Sequence, residues 1–332
     1  MVSILLLLII FRKYGNKFCS VPTLSERHLP SPPCLPQAGN KWRALQIFSR
    51  ILEERTLMHP ESTPPIAIRL INVKKHFKDR DVEALGGVNL EVAQGEFISL
   101  IGPSGSGKST LLELLGDIGD EGGPSEGEIL IEGKTPQELR QTRGYGIVFQ
   151  DSTLFPWYRV FENCILPFRI AKSELPKEEQ SKRIESLLEM VGLDRKFWSY
   201  YPKELSGGMQ QRVAIVRALA LDPPLLLMDE PFGALDDLTR KSMQMLLLDI
   251  WAKTRKTVLT VTHSISEACF MSDRVVVLSH RPGRIVRIIP IPLDRPRERS
   301  MTETKAFARI CGMVRDALGS GGGLEEGTSI KE

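Results

Sequence analysis

The sequence predicts an α/β fold with a mixed sheet, interrupted midway by a helical insertion, and three observations carry that prediction. Short runs of β-branched and large apolar residues recur along the chain, some continuous enough to be buried on both faces. One of them, Phe97–Ile101, runs into a glycine-rich turn that opens a helix, the strand–turn–helix arrangement from which phosphate loops are built. Between residues 151 and 205 the β-runs stop and helical periodicity takes over.

The first strand-like runs are 66–73, 88–92 and 97–101. After the turn, Ser109, Thr110, Leu111, Leu112, Glu113, Leu114 and Leu115 read as a helix with one buried face. Residues 127–133 (GEILIEG) alternate as an antiparallel strand with one solvated face does, whereas 146–150 (GIVFQ) is a buried strand ending in a polar residue. The sheet is therefore expected to be mixed. Pro176 opens an amphipathic helix in which Ile184, Leu187, Leu188 and Val191 fall at i, i+3, i+4 and i+7. Buried β-runs return at 225–228, 257–262 and 274–278. Helices separate them, such as 239–253, where Met243, Leu246, Leu247 and Ile250 line one face and the methionine fills core. Beyond residue 290 the chain turns basic and proline-broken; 306–318 predicts a short amphipathic helix and 319–332 reads as disordered. The expected organisation is an extension over 1–65, one domain over 66–290 with its insertion at about 151–205, and a tail over 291–332. No internal repeat duplicates the domain.

Composition narrows the class. With 42% hydrophobic and 26% charged residues the 332-residue chain is globular, and a net charge of +3 is too small to argue for a nucleic-acid partner. The five cysteines, Cys19, Cys34, Cys164, Cys269 and Cys311, are scattered without a CxxC pair. That speaks against a disulfide framework or a zinc site and fits a reducing cytosol. The apolar run at 2–11 is about half the length a spanning helix needs. It has no basic residues before it and no small-residue cleavage pattern after it, unlike a signal peptide. Residues 1–57, rich in proline, read as a poorly structured extension, and translation is expected to begin at Met58. Peptides from 1–57 in mass spectra of the native protein would overturn that.

The chemistry begins at Gly102, Pro103, Ser104, Gly105, Ser106, Gly107, Lys108, Ser109 and Thr110, a full phosphate-loop pattern. Its glycines let successive N–H groups converge on phosphate oxygens at a helix N-terminus, whose dipole favours anions. Lys108 supplies charge to the β- and γ-phosphates of ATP, and the Ser109 hydroxyl is suited to Mg²⁺. The strand LLLM at 225–228 then delivers two carboxylates, Asp229 to hold Mg²⁺ and Glu230 to polarise the attacking water. Adjacent strand residues face opposite ways, so the two take different tasks. His263 closes the strand TVLTVT, at the sheet edge where ligands bind; in isolation it would be an ordinary histidine, but here it favours a γ-phosphate contact or an orienter of the water. Gln150, also at a strand end, can offer its carbonyl to Mg²⁺ and its amide to water.

A second glycine-bearing turn, LSGGMQQ at 205–211, places Ser206, Gly207 and Gly208 ahead of a helix through 213–220, again a helix-terminus anion site. Taken alone it is an N-capped helix. Beside a complete phosphate loop it is redundant, unless each turn completes the site of a second copy.

In this order and spacing, the phosphate loop, Gln150, LSGGMQQR at 205–212, LLLMDEP at 225–231, Ala234-Leu235-Asp236 and His263 resemble the ATP-binding subunit of an ABC transporter, over about 66–290. The resemblance implies a P-loop NTPase mixed-sheet core with an antiparallel β subdomain and an inserted helical subdomain. It further implies that two subunits sandwich two ATP molecules head to tail. Ser206, Gly207, Gly208 and Gln210 would then contact the γ-phosphate held by the other copy, and Asp236 would link the two sites. Phe77 stands where relatives stack a tyrosine on adenine, keeping the π face and losing a hydroxyl. The helical insertion, with Gln150 at its hinge, would receive short helices from separate permease subunits at the cytoplasmic face of the membrane.

Within the family, LFPW at 154–157, EPFGALD at 230–236, RPGRI at 281–285 and LDRPR at 293–297 resemble importers of nitrate, sulfonate, taurine and related anions, which a periplasmic solute-binding protein supplies. The segment before Ser206 lacks the acidic-glycine stretch of exporters. The alternatives are an ABC ATPase for another solute or a soluble ABC ATPase, the latter expected to carry two nucleotide domains or long coiled-coil insertions. The glycine-rich, acidic stretch at 116–127 departs from relatives, and nothing in the sequence explains it.

Overall fold

The structure, a computed structural model, describes residues 64–119 and 122–321, so the expectations for the N-terminal extension, the Met58 start and residues 322–332 lie outside the described residues. Two sheets form. Strands β1 (Ile66–Phe77), β2 (Val82–Ala93) and β4 (Glu126–Ile131) make an antiparallel sheet in the order β2-β1-β4. Strands β3 (Phe97–Ile101), β5 (Tyr145–Val148), β6 (Leu225–Asp229), β7 (Thr257–Val261), β8 (Arg274–Leu278) and β9 (Ile285–Pro290) make a six-stranded sheet ordered β5-β6-β7-β3-β8-β9. It is parallel except for β9, which pairs antiparallel with β8.

The central strands are mostly apolar because both faces are covered. In β3 every residue is buried; Phe97 and Ile101 face one core and Ile98 and Leu100 the other. The same alternation sends Leu226, Met228, Val275 and Val277 to the first core and Leu225, Leu227, Val276 and Leu278 to the second. Truncating Leu100 to alanine would cost ~2–5 kcal/mol.

The α-helices of the described residues are α1 (Lys108–Gly116), α2 (Pro136–Gln141), α3 (Val160–Ile170), α4 (Lys177–Met190), α5 (Gly207–Leu219), α6 (Asp237–Thr254), α7 (Ile265–Met271) and α8 (Lys305–Ser320). The insertion expected at 151–205 contains α3, α4 and two single-turn helices, Arg195–Phe197 and Pro202–Glu204. Helix α5 packs on both α3 and α4, so the helical layer runs past residue 205. Lys256 and Arg183 of α4 both pair with Asp222 at 2.7 and 3.1 Å, fastening that layer to the strands.

Two expectations need correction. The strand expected at 66–73 runs to Phe77, because bulges around Asn72 let β1 bend and keep pairing with β2. The helix expected at 306–318 forms, but it runs over Lys305–Ser320, into the stretch expected to be disordered from 319. Arg295 pairs with Asp273 at 2.9 Å, and α8 buries Phe307, Ile310, Val314 and Ala317 against α7, β8 and β9. The amphipathic spacing was readable; the surface waiting for it was not. Among the described residues no helix is long and apolar enough to cross a membrane, and Cys164, Cys269 and Cys311 are free and buried.

Candidate active site

The phosphate loop connects β3 to α1, and its shape follows from its glycines. Gly105 and Gly107 adopt φ of +77° and +84°, a region side-chain-bearing residues avoid. A Cβ on Gly107 would lie 2.7 Å from the Ala84 carbonyl, so the loop sits tight on β2. Lys108 is buried, and its ammonium donates to the carbonyls of Gly102 (2.8 Å) and Pro103 (2.9 Å) and to Ser106 Oγ (3.3 Å). Burial lowers its pKa, while the charges of Glu230 and Asp229 act in the opposite direction.

Strand β6 brings both carboxylates to this edge, and β7 brings His263 there. Burial raises the Asp229 carboxyl above its ordinary value, against the hydrogen bond from the Ser109 hydroxyl and the charge of Lys108. A hydroxyl already bonded to a half-buried carboxylate is a hard-oxygen donor set of the kind Mg²⁺ takes. Glu230 leaves the strand in the left-handed region, φ +44°, while its N–H still donates to the Val261 carbonyl at 2.9 Å. That turn separates it from Asp229 and sends its carboxylate to His263, whose Nδ1 lies 3.0 Å from Glu230 Oε2. The imidazole is largely exposed and Glu230 is not. Non-glycine residues in this conformation are uncommon and cluster at functional sites.

Gln150 follows β5 and reaches the same place. A Cβ on Gly233 would lie 3.2 Å from Gln150 Nε2 and 3.5 Å from Glu230 Oε2, so that glycine leaves room for both. Helix α5 holds the Gln150 segment: Gln211 donates to the Phe149 carbonyl, Ser152 donates to Gln210, and Arg217 donates to the carbonyls of Ser152 and Thr153.

A cavity of about 500 Å³ opens beside the loop. Gly105, Ser106, Gly107, Lys108, Ser109 and Thr110 line it together with Phe77, as expected of an aromatic face near a phosphate cradle. It also contains residues the sequence did not single out: Lys75, Arg80, Glu113 and Arg281. Burial raises the Glu113 carboxyl, with the Asp229 charge adding to it.

The other turn lies elsewhere. Ser206 caps α5, accepting from the Met209 N–H at 3.3 Å. Gly208 stands against α6, where a Cβ would meet Thr239 Cγ2 at 2.5 Å. Gln210 donates to the carbonyls of Pro202 and Leu205. Asp236 caps α6, and the N–H groups of Thr239 and Leu238 hold its carboxyl below the usual range. Ser206, Gly208 and Thr239 line a separate cavity of about 490 Å³ that shares no lining residue with the first. Within one chain, then, the phosphate loop, Gln150, Asp229, Glu230 and His263 gather at one edge of the six-stranded sheet, with Phe77 of the antiparallel sheet across the loop's cavity, whereas Ser206 and Gly208 line another cavity.

The chain is similar to proteins of one family. The ABC transporter family model matches residues 85–233. An ABC transporter ATP-binding protein of Methanocaldococcus jannaschii is 46% identical over 256 residues, covering 76% of this chain and 93% of that protein. An aliphatic sulfonates import ATP-binding protein of Bacillus cereus is 39% identical over 267 residues, 80% of this chain and 100% of the relative. A nitrate import ATP-binding protein of Synechococcus elongatus is 43% identical over 229 residues, 68% and 81% respectively. Among solved structures, a dimeric ATP-binding cassette in a post-hydrolysis state with ADP and Pi is 37% identical; the match covers 68% of this chain and 100% of that one, with a TM-score of 0.59.

Proposed function

This chain belongs to the ATP-binding proteins of ABC transporters and is an ATPase coupled to transport, and we propose that it powers uptake of a small anion of the nitrate, sulfonate or taurine type. The observation that carries the reading is the meeting of the phosphate loop, Asp229, Glu230 and His263 at the ends of β3, β6 and β7, with the Ser206 turn on another surface. On this reading two copies associate head to tail, so that Ser206, Gly207, Gly208 and Gln210 of one copy complete the site of the other, and Asp236 connects them. The dimeric cassette and the import relatives support that assembly.

Each residue then has a task. Lys108 and the loop N–H groups hold the β- and γ-phosphates, and Phe77 stacks on adenine. Ser109, Asp229 and Gln150 would hold Mg²⁺, which would supply charge stabilisation to the phosphoryl group. Glu230 accepts the proton of the attacking water; His263, in contact with it, orients the carboxylate and reaches towards the γ-phosphate. The phosphoanhydride bond breaks, giving ADP and phosphate.

Separate permease subunits span the membrane, a solute-binding protein feeds them, and this chain works at their cytoplasmic side. Asn163, fully buried, ties down the aromatic loop after Gln150 through the Phe155 and Tyr158 backbone, leaving Trp157 66% exposed for a permease helix. Deleting the gene and measuring growth on an alkanesulfonate as sole sulfur source and nitrate as sole nitrogen source tests the solute. Normal growth and uptake on both would remove the anion reading while leaving the ATPase intact.

A further inference from the structure

The basic side chains of the nucleotide cavity exceed what the phosphate-loop pattern calls for. Lys75, Arg80, Lys108 and Arg281 line it, against the carboxyl of Glu113. Lys108 is the cation of the pattern; Lys75 donates to the carbonyls of Gly122 and Gly123 and lies over the Phe77 ring. Arg281 is different. Its Nη2 lies 3.3 Å from where a Cβ on Gly105 would stand, directly on the phosphate loop. Among the described residues its guanidinium makes no hydrogen bond or ion pair.

Its position is not that of a wandering surface side chain. Arg281 belongs to the turn between β8 and β9, which is pinned at several points. Ser279 N–H donates to the Arg284 carbonyl at 2.9 Å, and Arg284 N–H donates to Ser279 Oγ at 3.0 Å. Gly283 N–H donates to the Ala84 carbonyl at 2.9 Å, and the Gly86 N–H donates to the Gly283 carbonyl at 3.0 Å, joining the turn to β2. A Cβ on Gly283 would lie 2.1 Å from the Ser106 carbonyl, so the turn rests against the phosphate loop itself. The backbone that carries Arg281 is therefore built onto the cradle. Arg80, in the single-turn helix after β1, makes no hydrogen bond to the loop among the described residues and lacks that fastening.

We propose that Arg281 is a nucleotide-binding residue whose guanidinium takes the diphosphate portion common to ATP and ADP, adding a charged wall to the exposed side of the phosphate loop. The inference rests on the ATPase reading of the same site. Gly105 belongs to the part of the loop whose N–H groups face phosphate, and a planar, permanently charged fork suits two phosphate oxygens better than an ammonium does. Because the contact is to groups present before and after hydrolysis, it contributes to binding both nucleotides alike.

The test is calorimetric titration of the purified full-length protein with MgATP and MgADP, comparing wild type, Arg281→Ala, Arg281→Gln and Lys108→Ala. Both Arg281 variants should bind ATP and ADP about tenfold more weakly, ~1.4 kcal/mol, with unchanged melting temperature in the absence of nucleotide. Arg281 is exposed, so both variants should fold. Wild-type affinity for both nucleotides, or a loss confined to ATP, would overturn the assignment. The Lys108→Ala control separates the two failures. If it weakens binding and the Arg281 variants do not, only this inference falls; if none weakens binding, the reading of the cavity as a nucleotide site falls with it.

Discussion

The turns at 102–110 and 205–211 both deliver a helix N-terminus through glycines, yet their electrostatic surroundings have opposite character. Around the first, charge is buried: Lys108 is lowered by desolvation, while Asp229 and Glu113 are raised by it. Around the second, the perturbed carboxyl is Asp236, fully exposed and lowered by backbone N–H groups. Buried, compensating charges mark a place prepared to exchange charge with a ligand; an exposed cap marks a surface prepared to meet one. The comparison teaches that the chain holds two unlike half-sites, and that the chemistry belongs to the first.

The largest effect expected is at Glu230. Glu230→Gln should retain ATP affinity and slow hydrolysis by at least ~100-fold, accumulating an ATP-bound dimer visible by gel filtration; near-normal turnover would remove Glu230 as the base. Lys108→Ala should weaken ATP binding itself by roughly 10–100-fold, the worth of a charge-assisted contact, and an unchanged dissociation constant would count against the first half-site. Ser206→Arg should bind ATP as wild type yet stay monomeric and inactive. A monomeric variant that hydrolyses normally would collapse the distinction between the two turns. Phe77→Ala should cost ATP about 1–3 kcal/mol of stacking, whereas Phe77→Tyr should be neutral; equal losses in both would remove the ring from the adenine contact.

The smallest effect is on stability, and its sign differs between a buried carboxyl and an exposed one. Burial holds Glu267 protonated above its ordinary 4.5, with Thr262 and Gln244 bonded to it and the charges of Arg240 and His263 acting the other way. Its folded-state value is raised, so its contribution is greatest below 4.5 and is lost as pH rises through the folded value. Asp236 is depressed, so its contribution is present above 3.8 and lost as pH falls through its folded value. In urea melts, Glu267→Gln should therefore gain on wild type as pH rises from 4.5 to 8, and Asp236→Asn should lose on it as pH rises from 3 to 5. Parallel trends would erase the contrast.

Much of the site was legible because it is local. A phosphate loop is a continuous stretch whose glycines, lysine and serine are placed by one turn, and Asp229 and Glu230 end a strand whose apolar run announces it. Boundaries were less legible: bulges extended β1, and helix α5, after the Ser206 turn, proved to be part of the helical layer. The roles of Gly233 and Arg281 left no periodic signal, since each depends on a neighbour far away in sequence. Arg281 lay within the RPGRI stretch that resembles anion importers, but nothing local says that this stretch touches Gly105.

By itself the sequence determined the kinds of chemistry in this protein and the elements that carry them, because hydrophobic period, glycine conformation and cap chemistry act over a few residues. Only the tertiary structure decided which of those pieces share a cavity. Strand order placed β7 between β6 and β3, the β8–β9 turn set Arg281 on the phosphate loop, and the Ser206 turn was carried to another cavity. Such placements are settled by which apolar faces pack together across the whole chain, and no window of sequence contains both partners.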